Sequence, residues 1–396
     1  MLQEESFRMK MRLFLKNIAK MALVILCAVA FLMMPISLPN EVGAVDFRPY
    51  WTSSFLLAQG RDFGDLSNLD TIERTLTGWR EPYTMQAWFA PMGNLVLLPY
   101  TLFSFPRATY YWLITNIAVV FFSATLLWHK TKVKLWVPLV VTFGFSSIVE
   151  SLYVGQVNTL VMLGLALFLF FQEEKHEYAA GASLILTTIK PHLVIFALPL
   201  LILDITWRKQ WRALAGFTST LILCSILLFI LYPFWPISFW QVVTSGMSGF
   251  REAPTIPGLL VHAGQAYGKW LWIIGLFLAI LGWWKLKKGL DQRILIDSSI
   301  LIGMLISPIG WSYDQIMLLI PLLHVLEWIM SGFLTKQVTI AITLILIVTN
   351  LTSFYEHTFS ISDVWFFWIP LIVMSIYLVA WKQIQAGIIN IPSITG

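Results

Sequence analysis

Apolar runs long enough to cross a bilayer constrain this chain more than any other feature. A helix needs about 20 apolar residues to span the hydrocarbon core. Stretches such as 108–128, 214–235 and 364–381 reach or approach that length without one charged residue. They lack the apolar–polar alternation of barrel strands. Charged residues make up 12% of the chain, against about 25% in soluble domains. The expected fold class is therefore an all-α polytopic membrane protein. The net charge of +5 does not point to nucleic acid, because the basic residues cluster in short loops beside apolar spans, as topology signals do.

Arg8, Lys10, Arg12, Lys16 and Lys20 precede the first apolar run, residues 21–38. That run exceeds a typical signal-peptide core and no small-residue cleavage site follows, so a retained first helix with a cytoplasmic N-terminus is expected. Residues 41–91 then form a long polar loop on the outside. Within it, Trp51, Phe55 and Leu56 recur at helical spacing before Gly60, which predicts a short amphipathic helix over 50–59 lying on the membrane. Segment 92–105 is apolar but would extend roughly 21 Å as a helix, too short to cross. If it does not cross, the basic loop 129–134 falls in the cytoplasm. The remaining apolar runs bring the total to about twelve crossings by length and charge bias. They form one membrane domain over 1–396, with a catalytic first outer loop at 40–91 and C-terminal helices at 294–381. Cys27 and Cys224 sit inside apolar runs and read as packing residues.

The unusual polar residues gather at outer helix ends. Asp46 is the first acid after the opening span, placed either to act as a general base or to cap the helix that follows. Arg48 beside it is a cation that would hold its pKa low. Lys190 lies at a break made by Pro191 and is followed by His192. It suits either a phosphate, as a point charge, or the headgroup layer, by snorkelling. Gly155-Gln156-Val157-Asn158 puts two amides where a helix begins; they could read sugar hydroxyls or cap the helix. Trp311 and Tyr313 suit stacking on a sugar face, and Asp314 is either their polar partner or a helix cap. Asp46, His192 and Asp314 show no metal-ligand spacing, and no metal or other cofactor is expected. Nucleotide-binding loops, dinucleotide fingerprints and the serine-nucleophile motif are absent from the sequence.

Four stretches, in order, resemble the polyprenyl-phosphate-mannose-dependent mannosyltransferases of glycosyltransferase family 87, within the GT-C superfamily. They are Asp46-Phe47-Arg48-Pro49-Tyr50-Trp51 with Gly60 downstream, Gly155-Gln156-Val157-Asn158, Lys190-Pro191-His192, and Ser307-Pro308-Ile309-Gly310-Trp311. The resemblance spans about residues 20 to 330. It departs from the family at Ala90-Pro91, where paired prolines are usual, and at Tyr313-Asp314, where histidines are frequent. It implies a GT-C-like fold in the cell membrane with an extracytoplasmic active site. It also implies an inverting hexosyl transfer, most readily of mannose, from a polyprenyl-phosphate sugar to a glycan or glycolipid acceptor. Asp46 would be the base, and Lys190, Arg48 and His192 would hold the donor phosphate. Gln156, Asn158, Tyr50, Trp311, Tyr313 and Asp314 would face sugar or acceptor. The competing reading is a secondary transporter, which twelve spans and broken helices would suit; the missing internal repeat and the one-sided polar cluster count against it.

Overall fold

The computed structural model describes residues 42–131, 133–245, 253–359 and 361–389. The basic N-terminus, the expected span at 21–38 and Cys27 lie outside them. The described residues form helices and contain no strand. In chain order the α-helices are α1 (Phe47–Ala58), α2 (Leu66–Leu76), α3 (Met92–Leu97), α4 (Phe105–Leu127), α5 (Trp136–Gly144), α6 (Ser146–Val154), α7 (Asn158–Glu173), α8 (Glu177–Ser183) and α9 (Ala197–Trp207). They continue as α10 (Trp211–Leu231), α11 (Trp235–Ser245), α12 (Ile256–His262), α13 (Leu271–Leu286), α14 (Gln292–Ile306), α15 (Leu319–Met330), α16 (Lys336–Thr358) and α17 (Trp368–Ile389).

Six helices among the described residues are long and apolar enough to cross a membrane: Phe105–Leu127, Trp211–Leu231, Ala266–Leu286, Ser312–Met330, Lys336–Thr358 and Asp363–Gln385. The pair α5–α6, bent by 66°, makes a seventh if it is one span. The polytopic helical class stands, but the expected dozen crossings do not all appear as single long helices. Several apolar runs are divided. The apolar stretch 135–149 turns sharply at Phe145 and continues helically to Val154. The run over 179–189 is α8 followed by a 3-10 segment, Leu184–Thr188. Hydropathy registers the apolar length of such runs and is blind to the bends within them.

Central and peripheral helices differ in what covers them. The most apolar window of Ser312–Met330 is 72% buried, whereas those of α10 and Ala266–Leu286 are each 11% buried. The latter two present rows of exposed large side chains, such as Ile222, Leu223, Ile226 and Ile230, or Ile273, Ile274, Phe277 and Leu281. An apolar surface that extensive is stable only against lipid. Helices α8 and α10 pack closely because a side chain at Gly181 would strike the Ala213 carbonyl oxygen, and one at Gly216 the Tyr178 carbonyl oxygen. Small residues that bring backbones together are a common way of joining helices where lipid removes the hydrophobic drive. Two buried carboxylates tie further helices. Asp204 accepts from Arg208 Nε at 2.6 Å, Gln292 Nε2 at 2.9 Å and Trp283 Nε1 at 3.1 Å. Asp297 bonds His324 and Tyr377, joining α14, α15 and α17.

The polar loop carries helices of its own. Its first helix, α1, begins three residues before the predicted start and ends where expected, with Gly60 at φ +65°. It does not lie on a membrane surface, because Tyr50, Trp51, Thr52, Ser53, Ser54, Leu56 and Leu57 are all buried in protein. The buried Ser54 hydroxyl finds partners inside the fold, its one hydrogen shared between Tyr50 O at 2.8 Å and Asn94 Oδ1 at 3.0 Å. The following apolar piece, Met92–Leu102, is shorter than a span, as expected.

Candidate functional site

The site forms where three chain turns meet. The first is Gly155-Gln156-Val157, between α6 and α7. Gly155 adopts φ +80°, and a Cβ there would strike the Gly43 carbonyl oxygen. Only glycine meets both conditions readily. The close approach lets Gly43 N donate to Tyr153 O at 2.5 Å and Asp46 N to Val154 O at 2.8 Å. The entry to α1 is thereby clamped onto the end of α6. Trp112 Nε1 donates to Gly155 O at 2.8 Å and Asn116 Nδ2 to Gln156 O at 3.0 Å, so α4 holds the turn from the other side.

This clamp decides what Asp46 does. Asp46 occupies the N-cap position of α1, yet its side chain makes no capping bond. Its Oδ2 instead accepts from Gln156 Nε2. Gln156 Oε1 accepts from the Tyr50 hydroxyl at 2.9 Å, and the Tyr313 side chain lies near enough to Asp46 to favour its ionised form. Loss of bulk water raises the Asp46 pKa above the usual carboxylate value; the charge of Lys190, the Gln156 hydrogen bond and the nearby Tyr313 oppose that rise. Sequence reasoning anticipated a lowered value from Arg48. Desolvation outweighs the cation here, and the cation concerned is Lys190.

The second and third turns, Lys190-Pro191-His192 and 307–314, build a buried charge cluster. Lys190 Nζ lies 3.1 Å from Asp314 Oδ1, with both side chains 2% exposed. His192 Nε2 donates to Asp314 Oδ2 at 3.2 Å, and Trp311 N donates to the same oxygen at 3.2 Å. Asn158 Nδ2 donates to Tyr313 O at 2.9 Å and Ser151 Oγ to the same carbonyl at 3.0 Å. The Trp311 and Tyr313 rings run parallel, 7° apart in plane, with Lys190 Nζ 5.7 Å and 5.0 Å from their centroids. Lys190 does not snorkel, because its ammonium is buried against a carboxylate. Asp314 is not the N-cap residue itself; as the third residue of the 3-10 helix Ser312–Leu318 it caps that helix by accepting from the Trp311 backbone N–H, while also bonding Lys190 and His192. Asn158 caps nothing, its amide being turned to the 313 carbonyl.

Asp46, Tyr50, Gln156, Asn158, Lys190, His192, Trp311, Tyr313 and Asp314 thus come together. Arg48 points elsewhere. One residue along a helix is a turn of about 100°, so residues 46 and 48 leave α1 on different faces. Arg48 Nε donates to Thr77 Oγ1 at 3.0 Å and its guanidinium lies 4.6 Å from the Trp79 ring centroid. Glu73, buried behind it, accepts from Met85 N at 3.0 Å, and burial pushes its pKa up to about 7. Glu150 lies beside the site, accepting from Ser312 Oγ at 2.7 Å with His357 at 3.2 Å. Ser151 and Asn116 were missed, since a serine or asparagine within an apolar run carries no distinguishing pattern.

One wall of the site is shared with an apolar groove of about 700 Å³. Its lining includes Trp88, Phe89, Phe239, Trp272, His192 and Trp311. Phe89 stacks edge-on against Tyr50 with centroids 4.8 Å apart, which connects the groove to the Asp46 network. A groove of this size and lining suits an elongated hydrocarbon with a polar end.

Fold and site together define a polytopic helical membrane protein with a carboxylate-centred polar site beside an apolar groove. The family model of glycosyltransferase family 87 matches residues 87–308, more than half of the chain, and the chain belongs to that family. It is a glycosyltransferase. The matched region includes Gln156, Asn158, Lys190 and His192, while Asp46, Trp311, Tyr313 and Asp314 lie beyond its ends. Neither a curated protein nor a solved structure matches the chain.

Proposed function

We propose that this glycosyltransferase moves a hexose, mannose by the family resemblance, from a polyprenyl-phosphate sugar to a hydroxyl of a glycan or glycolipid. The transfer takes place on the extracytoplasmic side of the cell membrane and inverts the anomeric centre. The acceptor oxygen attacks C1 and loses its proton to Asp46. The bond from C1 to the phosphate oxygen breaks, and its electron pair leaves with the polyprenyl phosphate. A base works best when its pKa is drawn towards the working pH, which is the direction of the Asp46 shift. His192 faces the groove near the phosphate, and Asp314 and Lys190 orient it from behind. Gln156 and Tyr313 aim the base, and the parallel Trp311 and Tyr313 rings offer a face to the sugar. Arg48 anchors the loop through Thr77 and Trp79.

The observation that carries this reading is the Asp46 carboxylate, bonded by Gln156 in place of a helix cap, beside an apolar groove in a chain of this family. The test is transfer of labelled mannose from polyprenyl-phosphate mannose into membrane acceptors. Asp46→Asn keeps the shape and removes the basicity, so turnover should fall by about 10² to 10⁴ while donor binding persists. Near-normal transfer by the asparagine protein would overturn the role of Asp46.

A further inference from the structure

We infer that Lys269 binds the phosphate of the lipid-linked substrate at the groove; this rests on the donor proposed above. The groove is walled mainly by aromatic and aliphatic side chains, and among its described lining residues only His192 and Lys269 can carry positive charge. A polyprenyl phosphate brings at least one negative charge into that setting, and a second develops when the glycosyl bond breaks. Neutral walls cannot stabilise it.

The cations singled out by sequence do not meet this need alone. Lys190 is buried and its charge is balanced by Asp314 at 3.1 Å. Arg48 is turned to Thr77 and the Trp79 ring. Lys269 is exposed and lines the groove with His192. Its ammonium lies over the Trp270 ring, whose centroid is 5.5 Å from Nζ. Such an exposed cation–π contact is weak and readily gives way to an anion. Position agrees. Lys269 belongs to the 3-10 segment Ala266–Trp270, which opens the candidate span Ala266–Leu286. The end of a span is the level at which lipid phosphates lie. A lysine is also apt for a phosphate that changes charge and position during the reaction, because it acts as a mobile point charge.

The competing role is plain snorkelling to bulk headgroups, which would confer no preference among groove ligands. The test measures binding of a short-chain polyprenyl phosphate and of the matching free polyprenol to the full-length protein in detergent. The wild type should prefer the phosphate. Lys269→Gln should weaken phosphate binding about 10- to 100-fold, the range of one charge-assisted hydrogen bond, and leave alcohol binding unchanged. Lys269→Arg should retain most of the preference. Equal phosphate affinity in Lys269→Gln and wild type would overturn the role of Lys269 while the donor stands. A wild-type protein that binds both lipids equally would overturn the donor and Lys269 together.

Discussion

At the scale of single residues, the site is governed by how few charges it leaves unbalanced. Lys190 and Asp314 are each 2% exposed, and a buried ion separated from its partner is strongly destabilising. Removing one member of such a pair costs about 3–5 kcal/mol, whereas replacing both with apolar residues is often neutral. Lys190→Met should therefore lower the melting temperature of the detergent-solubilised protein markedly. Lys190→Met combined with Asp314→Leu should recover most of that loss without recovering transfer, because His192 still lacks its partner. A single variant that melts with the wild type would show that the pair carries no such energetic weight.

At the scale of elements, the decisive pieces are short. The turn between α6 and α7 sets Asp46, and the break before Pro191 sets Lys190 and His192. Gly155→Ala should be damaging for two separable reasons. A non-glycine residue at positive φ costs about 1–2 kcal/mol, and its Cβ would push against the Gly43 carbonyl and so shift Asp46. Gly78, at φ +72° with nothing within 4 Å of a new Cβ, is the control. Gly78→Ala should lose stability alone, and Gly155→Ala should lose stability and transfer. Equal transfer by the two variants, at equal folded amounts, would mean that the Gly43 clamp does not position Asp46.

At the scale of the whole molecule, orientation follows from charge and from the short Met92–Leu102 helix, whose eleven residues reach roughly 17 Å, well under a bilayer core. With Cys27 and Cys224 replaced by alanine, single cysteines at Thr131 and Gln210 should both react from the cytoplasmic face, and one at the exposed Tyr83 from the opposite face. Labelling of position 131 from outside would invert the chain's path through the bilayer.

Composition and apolar run length were sufficient to determine a helical polytopic membrane protein, since backbone polar groups in lipid must be satisfied within helices. Four short motifs in order sufficed to point to glycosyltransferase family 87. Most of the site was legible too, because glycine, proline and charged residues are conspicuous where apolar runs end. What the sequence leaves open is pairing. Whether Asp46 caps its helix or bonds Gln156, whether Lys190 snorkels or is buried, and whether Asp314 only caps or is also a counter-ion depend on partners more than a hundred residues apart. Only tertiary packing brings those partners to hydrogen-bonding distance. It also turned Arg48 away from the site, buried α1 within protein, and placed Lys269 on the groove.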